Sequence, residues 1–355
     1  MPHYNLSLLG FGNVGQALAH LLMGKQEELK ARSSITFAIT AIATGSHGSA
    51  INPDGLDIEK ALAAIQTGES LNELSATSLP SDTIEFIRAC GADVLFETTP
   101  VSYTDGQPAI DHLRTTLENG MHAITANKGP VVHGYQELKA LAKEKGKKFY
   151  FESAVMDGAP IFSVFRETLP AAKVKSFKGI LNSTTNLILS RMEAGESFDQ
   201  AVAYAQSTGI AETDPSGDVD GWDAAVKVCA LATVLMGTPI KPNMIARTGI
   251  REISPEKITQ ATAAGKRWKL MCSAYKEGDT VIAKVSPEMV GAETPFYSID
   301  GTTSIVEFET DVLGKLSIIE TDPSPDTTAY GLLADFVNAV RGSSIKNLKN
   351  AGTSF

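Results

Sequence analysis

Near the start of the chain an apolar run, Asn5 to Leu9, gives way to Gly10-Phe11-Gly12-Asn13-Val14-Gly15, and a helix-periodic stretch, Val14 to Met23, begins inside that motif. Glycines at this spacing mean little in isolation. Between a strand and a helix each has its own use. Gly10 makes a tight turn, Gly12 lets backbone approach a guest, and Gly15 lets the helix pack closely on the strand. The new helix starts with unpaired N–H groups, which are natural partners for pyrophosphate oxygens. A dinucleotide cofactor is implied, and with it an open sheet of parallel strands.

The rest of the first half agrees. Strand-like runs at Ile35 to Thr44, Asp93 to Glu97, His122 to Thr125 and Lys148 to Glu152 alternate with helical patterns at Asp57 to Gln66, Ser81 to Cys90, Pro108 to Glu118 and Gly134 to Lys145. That alternation predicts an α/β, doubly wound parallel sheet. After Glu152 helical patterns dominate to about Gly265, and then Arg267 to Tyr275 and Thr280 to Ser286 flank a hairpin turn, Lys276-Glu277-Gly278-Asp279. A chain of 355 residues, 43% of them hydrophobic, exceeds what one core ordinarily holds. The predicted division is a dinucleotide-binding domain over residues 1–151, completed by a C-terminal helical segment, 323–355, and a second α+β domain over 152–322.

A formal charge of −10 offers no basic field for phosphate backbones, so nucleic acid and anionic membrane are excluded as partners in favour of a small soluble substrate. The longest apolar helical run, Val226 to Met236, is too short to span a bilayer, and no basic, then apolar, leader precedes the first strand. Cys90, Cys229 and Cys272 share no paired spacing and lie in apolar runs, consistent with a reducing, cytoplasmic setting. The second strand ends in Thr44-Gly45-Ser46-His47, without the acid that reads a ribose hydroxyl or an Arg for a 2′-phosphate. NAD and NADP both stay open. His47 with the Thr44 and Ser46 hydroxyls forms a turn tolerant of NADP on one reading, and a plain solvated loop on the other.

Three further segments carry chemistry. Glu97-Thr98-Thr99-Pro100 and Thr125-Ala126-Asn127-Lys128-Gly129-Pro130 each follow a predicted parallel strand, where open sheets hold their ligands. Gly179-Ile-Leu-Asn182-Ser183-Thr184-Thr185-Asn186 runs from a strand into a helix start whose backbone donors suit a carboxylate. In Glu212-Thr-Asp214-Pro-Ser-Gly-Asp218-Val-Asp220-Gly-Trp-Asp223-Ala-Ala-Val-Lys227, a helix from about Asp218 would put Asp220, Asp223 and Lys227 on one face. A calcium loop in this register would need a bidentate Glu where Lys227 stands. The apolar residues after it carry the helix into a core, leaving Lys227 at the edge of water, a setting that suits proton transfer.

Together with the glycine turn these segments resemble homoserine dehydrogenase from end to end. The resemblance implies a Rossmann-type nucleotide domain, a second domain that binds substrate and forms a homodimer, and NAD(P)-dependent interconversion of L-homoserine and L-aspartate 4-semialdehyde. It implies Lys227 as general acid and base, Lys128 as a second catalytic residue that also meets the cofactor, and Glu212, Asp223, Asp218 and Thr184 around the amino-acid substrate. Gly10, Phe11, Gly12, Asn13, Val14, Gly15, Thr98, Thr99, Gly209 and Gly331 would line the dinucleotide. Glu152, Val155, Asp157 and Ala159 resemble a sodium-binding turn. The chain departs from the family pattern at Ser183, where Gly is usual, and at Met156-Asp157-Gly158. No regulatory extension is expected after the last helix. Two alternatives stand beside this reading: a dehydrogenase of another hydroxy amino acid, and a non-catalytic dinucleotide-binding protein of the same fold. Lys128, Glu212, Asp223 and Lys227 together argue against the second, because a mere binder has no need of a proton donor.

Overall fold

In the computed structural model, which describes the backbone of residues 1–350 and side chains through residue 341, the first strand, β1 (His3–Leu9), carries buried Leu6, Leu8 and Leu9. The predicted extension over 351–355 lies outside the described residues. Helix α1 (Asn13–Ser33) runs well past Met23, where the helical pattern in the sequence ends. Gly24 costs a helix only about 1 kcal/mol. The strong helix formers beyond it, with Lys25–Glu28 and Glu28–Arg32 ion pairs, continue the helix until Ser34 caps it in the left-handed region, φ 55°.

β2 (Thr36–Ala43) lies parallel to β1, and a three-residue strand, β3 (Ser49–Ile51), folds back on it as an antiparallel hairpin. Then come α2 (Ile58–Thr67), α3 (Thr83–Ala89), β4 (Val94–Glu97), α4 (Ala109–Glu118), β5 (His122–Thr125), α5 (Lys128–His133), α6 (Tyr135–Glu144) and β6 (Phe149–Tyr150). The sheet order is β3-β2-β1-β4-β5-β6, parallel from β2 to β6. The expected doubly wound sheet is present, with one departure: its outer strand is antiparallel, because Thr44 bonds Gly48 across a turn too tight for a crossover helix.

The second unit is built on β7 (Val174–Ile180), α7 (Ser183–Glu193), α8 (Phe198–Ser207), α9 (Ser216–Val219), α10 (Trp222–Leu235), β8 (Ala246–Arg247), α11 (Pro255–Ala263), β9 (Lys266–Glu277), β10 (Thr280–Gly291), β11 (Ser304–Thr310) and β12 (Lys315–Glu320). Its sheet runs β12-β11-β7-β9-β10-β8, antiparallel except where β8 joins β10. The predicted hairpin forms with Glu277 opposite Thr280. The apolar run after Lys227 is buried on every side, from Val228 to Ala232 in α10.

One expectation fails here. The single helix predicted from Asp218 is two, because Gly221 at φ 79° breaks the chain between α9 and α10. Asp220 therefore turns away from Asp223 and Lys227. Its carboxylate pairs with Arg251 at 2.5 Å, and its carbonyl accepts from Arg247.

After β12 the chain enters α12 (Pro325–Asn350) and rejoins the first unit. Phe336 is fully buried there, edge-on to Tyr4, Phe37 and Phe96 with ring centroids 5.9, 6.0 and 6.1 Å away. By internal packing the chain divides into Met1–Gly158 with the segment from Ser324, and Ala159–Pro323.

Candidate active site

The glycine turn has the form its spacing predicts. Gly10 sits at φ 100°, and a Cβ there would come within 2.6 Å of the Thr98 hydroxyl, which donates to the Gly10 carbonyl at 3.0 Å. A Cβ on Gly15 would collide with that same carbonyl. Beside Gly12 there is open space, and as the N-cap of α1 it brings no side chain to satisfy the first N–H groups. Buried Phe11 anchors the turn, Asn13 is exposed and Val14 half-buried. Open space beside Gly12, at the uncapped start of a long helix, fits a dinucleotide pyrophosphate.

At the end of β2 the hydroxyl of Thr44 accepts from the His47 backbone N–H at 2.7 Å and donates to the Gly48 carbonyl at 3.0 Å. With these two bonds it closes the turn. Ser46 Oγ and His47 Nδ1 are paired at 2.8 Å.

The carboxyl ends of β4 and β5 are tied together by Glu97, to which its motif in the sequence gives no role. Glu97 is fully buried. Its carboxyl accepts from the Thr99 N–H at 2.8 Å, from the Thr99 hydroxyl, and from the Thr125 hydroxyl at 2.6 Å. Thr125 Oγ1 accepts in turn from the Asn127 N–H at 2.9 Å. The Asn127 amide donates to the carbonyls of Thr99, 3.2 Å, and Pro100, 3.4 Å, and accepts from the Gly129 N–H at 2.9 Å, capping α5. Half-buried Lys128 is the first residue of that helix.

In the second unit Lys227, Asp223 and Asp218 come together around a residue that spacing alone could not single out. Asn182, the N-cap of α7, donates from one amide nitrogen to Asp218 at 2.7 Å and to Asp223 at 3.0 Å. Its oxygen accepts from the Thr185 N–H and hydroxyl, both at 2.8 Å. Lys227 Nζ donates to the Leu181 carbonyl at 2.6 Å and lies 3.3 Å from Asp223 Oδ2. The two side chains are 14% and 9% exposed, so this pair is held largely out of water, and one of three ammonium N–H groups is left over. Burial, and then the charge of Asp223, push the Asp218 carboxyl above its ordinary range.

Of the other predicted residues, Thr184 reaches the cluster through a side-chain hydrogen bond to Asp218. Buried Thr184 donates to the Ile210 carbonyl at 3.3 Å. Glu212 is exposed, and among the described residues no bond of its side chain joins it to the cluster. Gly209 lies at φ 74° with open space beside it. Gly331 has a packing reason of its own: a Cβ there would collide with Ser153. Around that contact the Glu152 N–H donates to Asp335 at 2.6 Å, Ser153 to the Thr328 carbonyl at 2.7 Å, and Thr328 to Asp157 at 3.0 Å. Val155 is buried in the same turn, while Ala159 opens the second unit and its carbonyl accepts from Ile161. Among the described residues no group of three or more His, Cys, Asp or Glu side chains is placed to hold a metal, and no helix is long and apolar enough to cross a membrane.

A family model described as homoserine dehydrogenase matches residues 160–337, and one described as homoserine dehydrogenase, NAD binding domain, matches residues 10–152. The NAD(+)-dependent homoserine dehydrogenase of Pseudomonas canavaninivorans is 34% identical over 95% of this chain and 96% of its own. The homoserine dehydrogenase of Methanocaldococcus jannaschii is 34% identical over 94% and 98%. Among solved structures, a hyperthermophilic archaeal homoserine dehydrogenase in complex with NADPH superposes with a TM-score of 0.81 at 27% identity, covering 96% of this chain and 98% of that one.

Proposed function

The chain belongs to the homoserine dehydrogenase family, and from that membership and the setting of Lys227 we propose that it interconverts L-homoserine and L-aspartate 4-semialdehyde with this lysine as general acid and base. It is an NAD(P)-dependent oxidoreductase acting on a CH–OH group. When bound, the nicotinamide dinucleotide supplies the hydride for reduction and accepts it in the reverse direction. The observation that carries the reading is a half-buried amine fixed by Leu181 and Asp223 with one N–H to spare. That N–H protonates the alkoxide forming at the aldehyde carbon, and in the reverse direction the amine takes the hydroxyl proton. Asp218 and Asp223, set by Asn182, hold the substrate ammonium with Glu212, and Thr184 stands at the start of α7 where the substrate carboxylate docks. Gly10 to Gly15 cradle the pyrophosphate, Thr98, Thr99, Gly209 and Gly331 line the dinucleotide, and Lys128 acts on the nicotinamide side.

Lys227→Met tests the role. Turnover of homoserine, followed by NADH absorbance, is expected to fall about 100- to 10,000-fold while NADH affinity by calorimetry is unchanged. Near-normal turnover would remove the lysine from the mechanism. Neither an acid nor an Arg marks the turn after β2, which supports use of both NAD and NADP. A preference for one cofactor exceeding about 100-fold in kcat/KM would overturn that. A cytoplasmic homodimer completes the reading: Tyr275 and Ile282, opposite one another on β9 and β10, are 48% and 37% exposed and form an apolar patch for a second copy. Glu152, Val155 and Asp157 offer an oxygen set suited to a hard cation, yet Asp157 already accepts from Thr328, and no step is routed through an ion.

A further inference from the structure

We propose that Glu97 is a positioning residue for hydride transfer, setting the direction in which Lys128 leaves the backbone. Its place in the fold is odd for a carboxyl. β4 is otherwise Val94, Leu95 and Phe96, buried on both faces, and an apolar side chain would complete it at no desolvation cost. Among the described residues it makes no ion pair. Every group that reaches it is a neutral donor, and those donors come from the segments that follow β4 and end β5, Thr98 to Pro100 and Thr125 to Gly129.

The bonds form a closed ring. From Glu97 one path runs through the Thr125 hydroxyl to the Asn127 N–H, and the Asn127 side chain returns to the Thr99 and Pro100 carbonyls. The remaining Asn127 oxygen caps Gly129. Lys128 is thereby gripped on both sides, its predecessor held through its N–H and amide and its successor through its N–H. Thr98, next to Glu97 in sequence, holds the Gly10 carbonyl, so the ring also reaches the glycine turn. An acceptor able to take several donors at once is what this junction needs, and a carboxyl, with two oxygens and about four lone-pair sites, supplies it. Burial holds the carboxyl above its ordinary range, and the converging N–H and O–H groups pull against that.

This inference rests on the assignment of Lys128 to catalysis, so the test separates the two. Glu97→Gln keeps shape and one acceptor, but turns an N–H towards Thr125 or Thr99. Thr125→Val cuts the path to Asn127 while leaving Glu97 in place. Both are compared with Lys128→Met in kcat, in KM for homoserine, and in amide hydrogen exchange at Thr99, Asn127 and Gly129 without cofactor. A misplaced reacting group costs roughly 100-fold. Glu97→Gln and Thr125→Val are each expected to lower kcat by about that factor with little change in the KM for homoserine. The double variant should be no worse than either alone, with protection lost at the three amides. Retained exchange protection in Glu97→Gln, or kcat losses that multiply in the double variant, would overturn the ring as a unit. If Lys128→Met keeps full turnover, the catalytic assignment of that lysine falls. The positioning proposal falls with it, whereas a drop in Lys128→Met alone, with Glu97→Gln unaffected, sinks only the positioning.

Discussion

Asn182 shows why one residue type can be irreplaceable. Its amide nitrogen spans two carboxylates while its oxygen takes an N–H and a hydroxyl, a split of donors and acceptors that neither Asp nor Ser can copy. By holding Asp218 near Asp223 it sets a like charge beside Asp218, whose own burial is the larger cause of its reluctance to ionise. The Asp218 carboxyl is accordingly held above its ordinary range. Two consequences follow from that direction. A carboxyl that holds its proton to higher pH in the folded chain than in the unfolded one contributes stability below the unfolded value, and this contribution is lost as pH rises through the folded value. In function the sign reverses: the ammonium needs the carboxylate, so the KM for homoserine should climb as pH falls, starting at a higher pH than an ordinary aspartate would give. Asp218→Asn should raise that KM about 10- to 100-fold at neutral pH and flatten its acid limb. A KM profile unchanged by the substitution would place the ammonium elsewhere.

At the scale of elements, α12 meets the turn from Glu152 to Gly158 so closely that Gly331 has no room for a methyl group. Ser153 cannot easily yield, because its hydroxyl is bonded to Thr328. Gly331→Ala should therefore lower stability by about 1 to 3 kcal/mol by overpacking, seen as a lower melting temperature before any cofactor is added. An unchanged melting temperature with weakened NADH binding would favour a contact with the dinucleotide alone. The same elements show what the sequence could reveal. Gly10 to Gly15 was legible because strand, turn and helix are contiguous and each glycine answers a local requirement. The break at Gly221 was not, since a helical pattern reads through one glycine at a cost of about 1 kcal/mol, and only the pull of Arg251 and Arg247 on Asp220 reveals the turn. The three-residue β3 was too short to show a period. Asn182 and Glu97 belong to motifs visible in the sequence, but Asp218 and Thr125, the distant partners that join them to other elements, lie 36 and 28 residues away, beyond any local pattern.

On the scale of the whole molecule the first unit is discontinuous: its sheet is complete by β6, while the helix that covers part of it arrives only after Ser324. Leu332, Phe336, Ala339 and Val340 are all buried in the core that Leu6, Phe37 and Phe96 supply from the sheet. Burial of this kind is worth about 25 cal/mol per Å² of apolar surface, so a sheet without its helix leaves an apolar face to water and should not hold a unique fold. Phe336→Ala in the full chain should cost about 3 to 5 kcal/mol, because three aromatic rings lose their common neighbour. A fragment of residues 1–158 alone should bind a hydrophobic dye and unfold without a sharp transition. Gly158 lies against the Thr327 carbonyl, so a short flexible linker suffices to join residue 158 to Ser324. That fusion, lacking the whole second unit, should regain cooperative unfolding and NADH binding with no turnover, since Lys227 and its acids are gone. Cooperative melting of the unlinked fragment would mean that the sheet stands without α12 and that the return of the chain serves some purpose other than completing the nucleotide-binding fold.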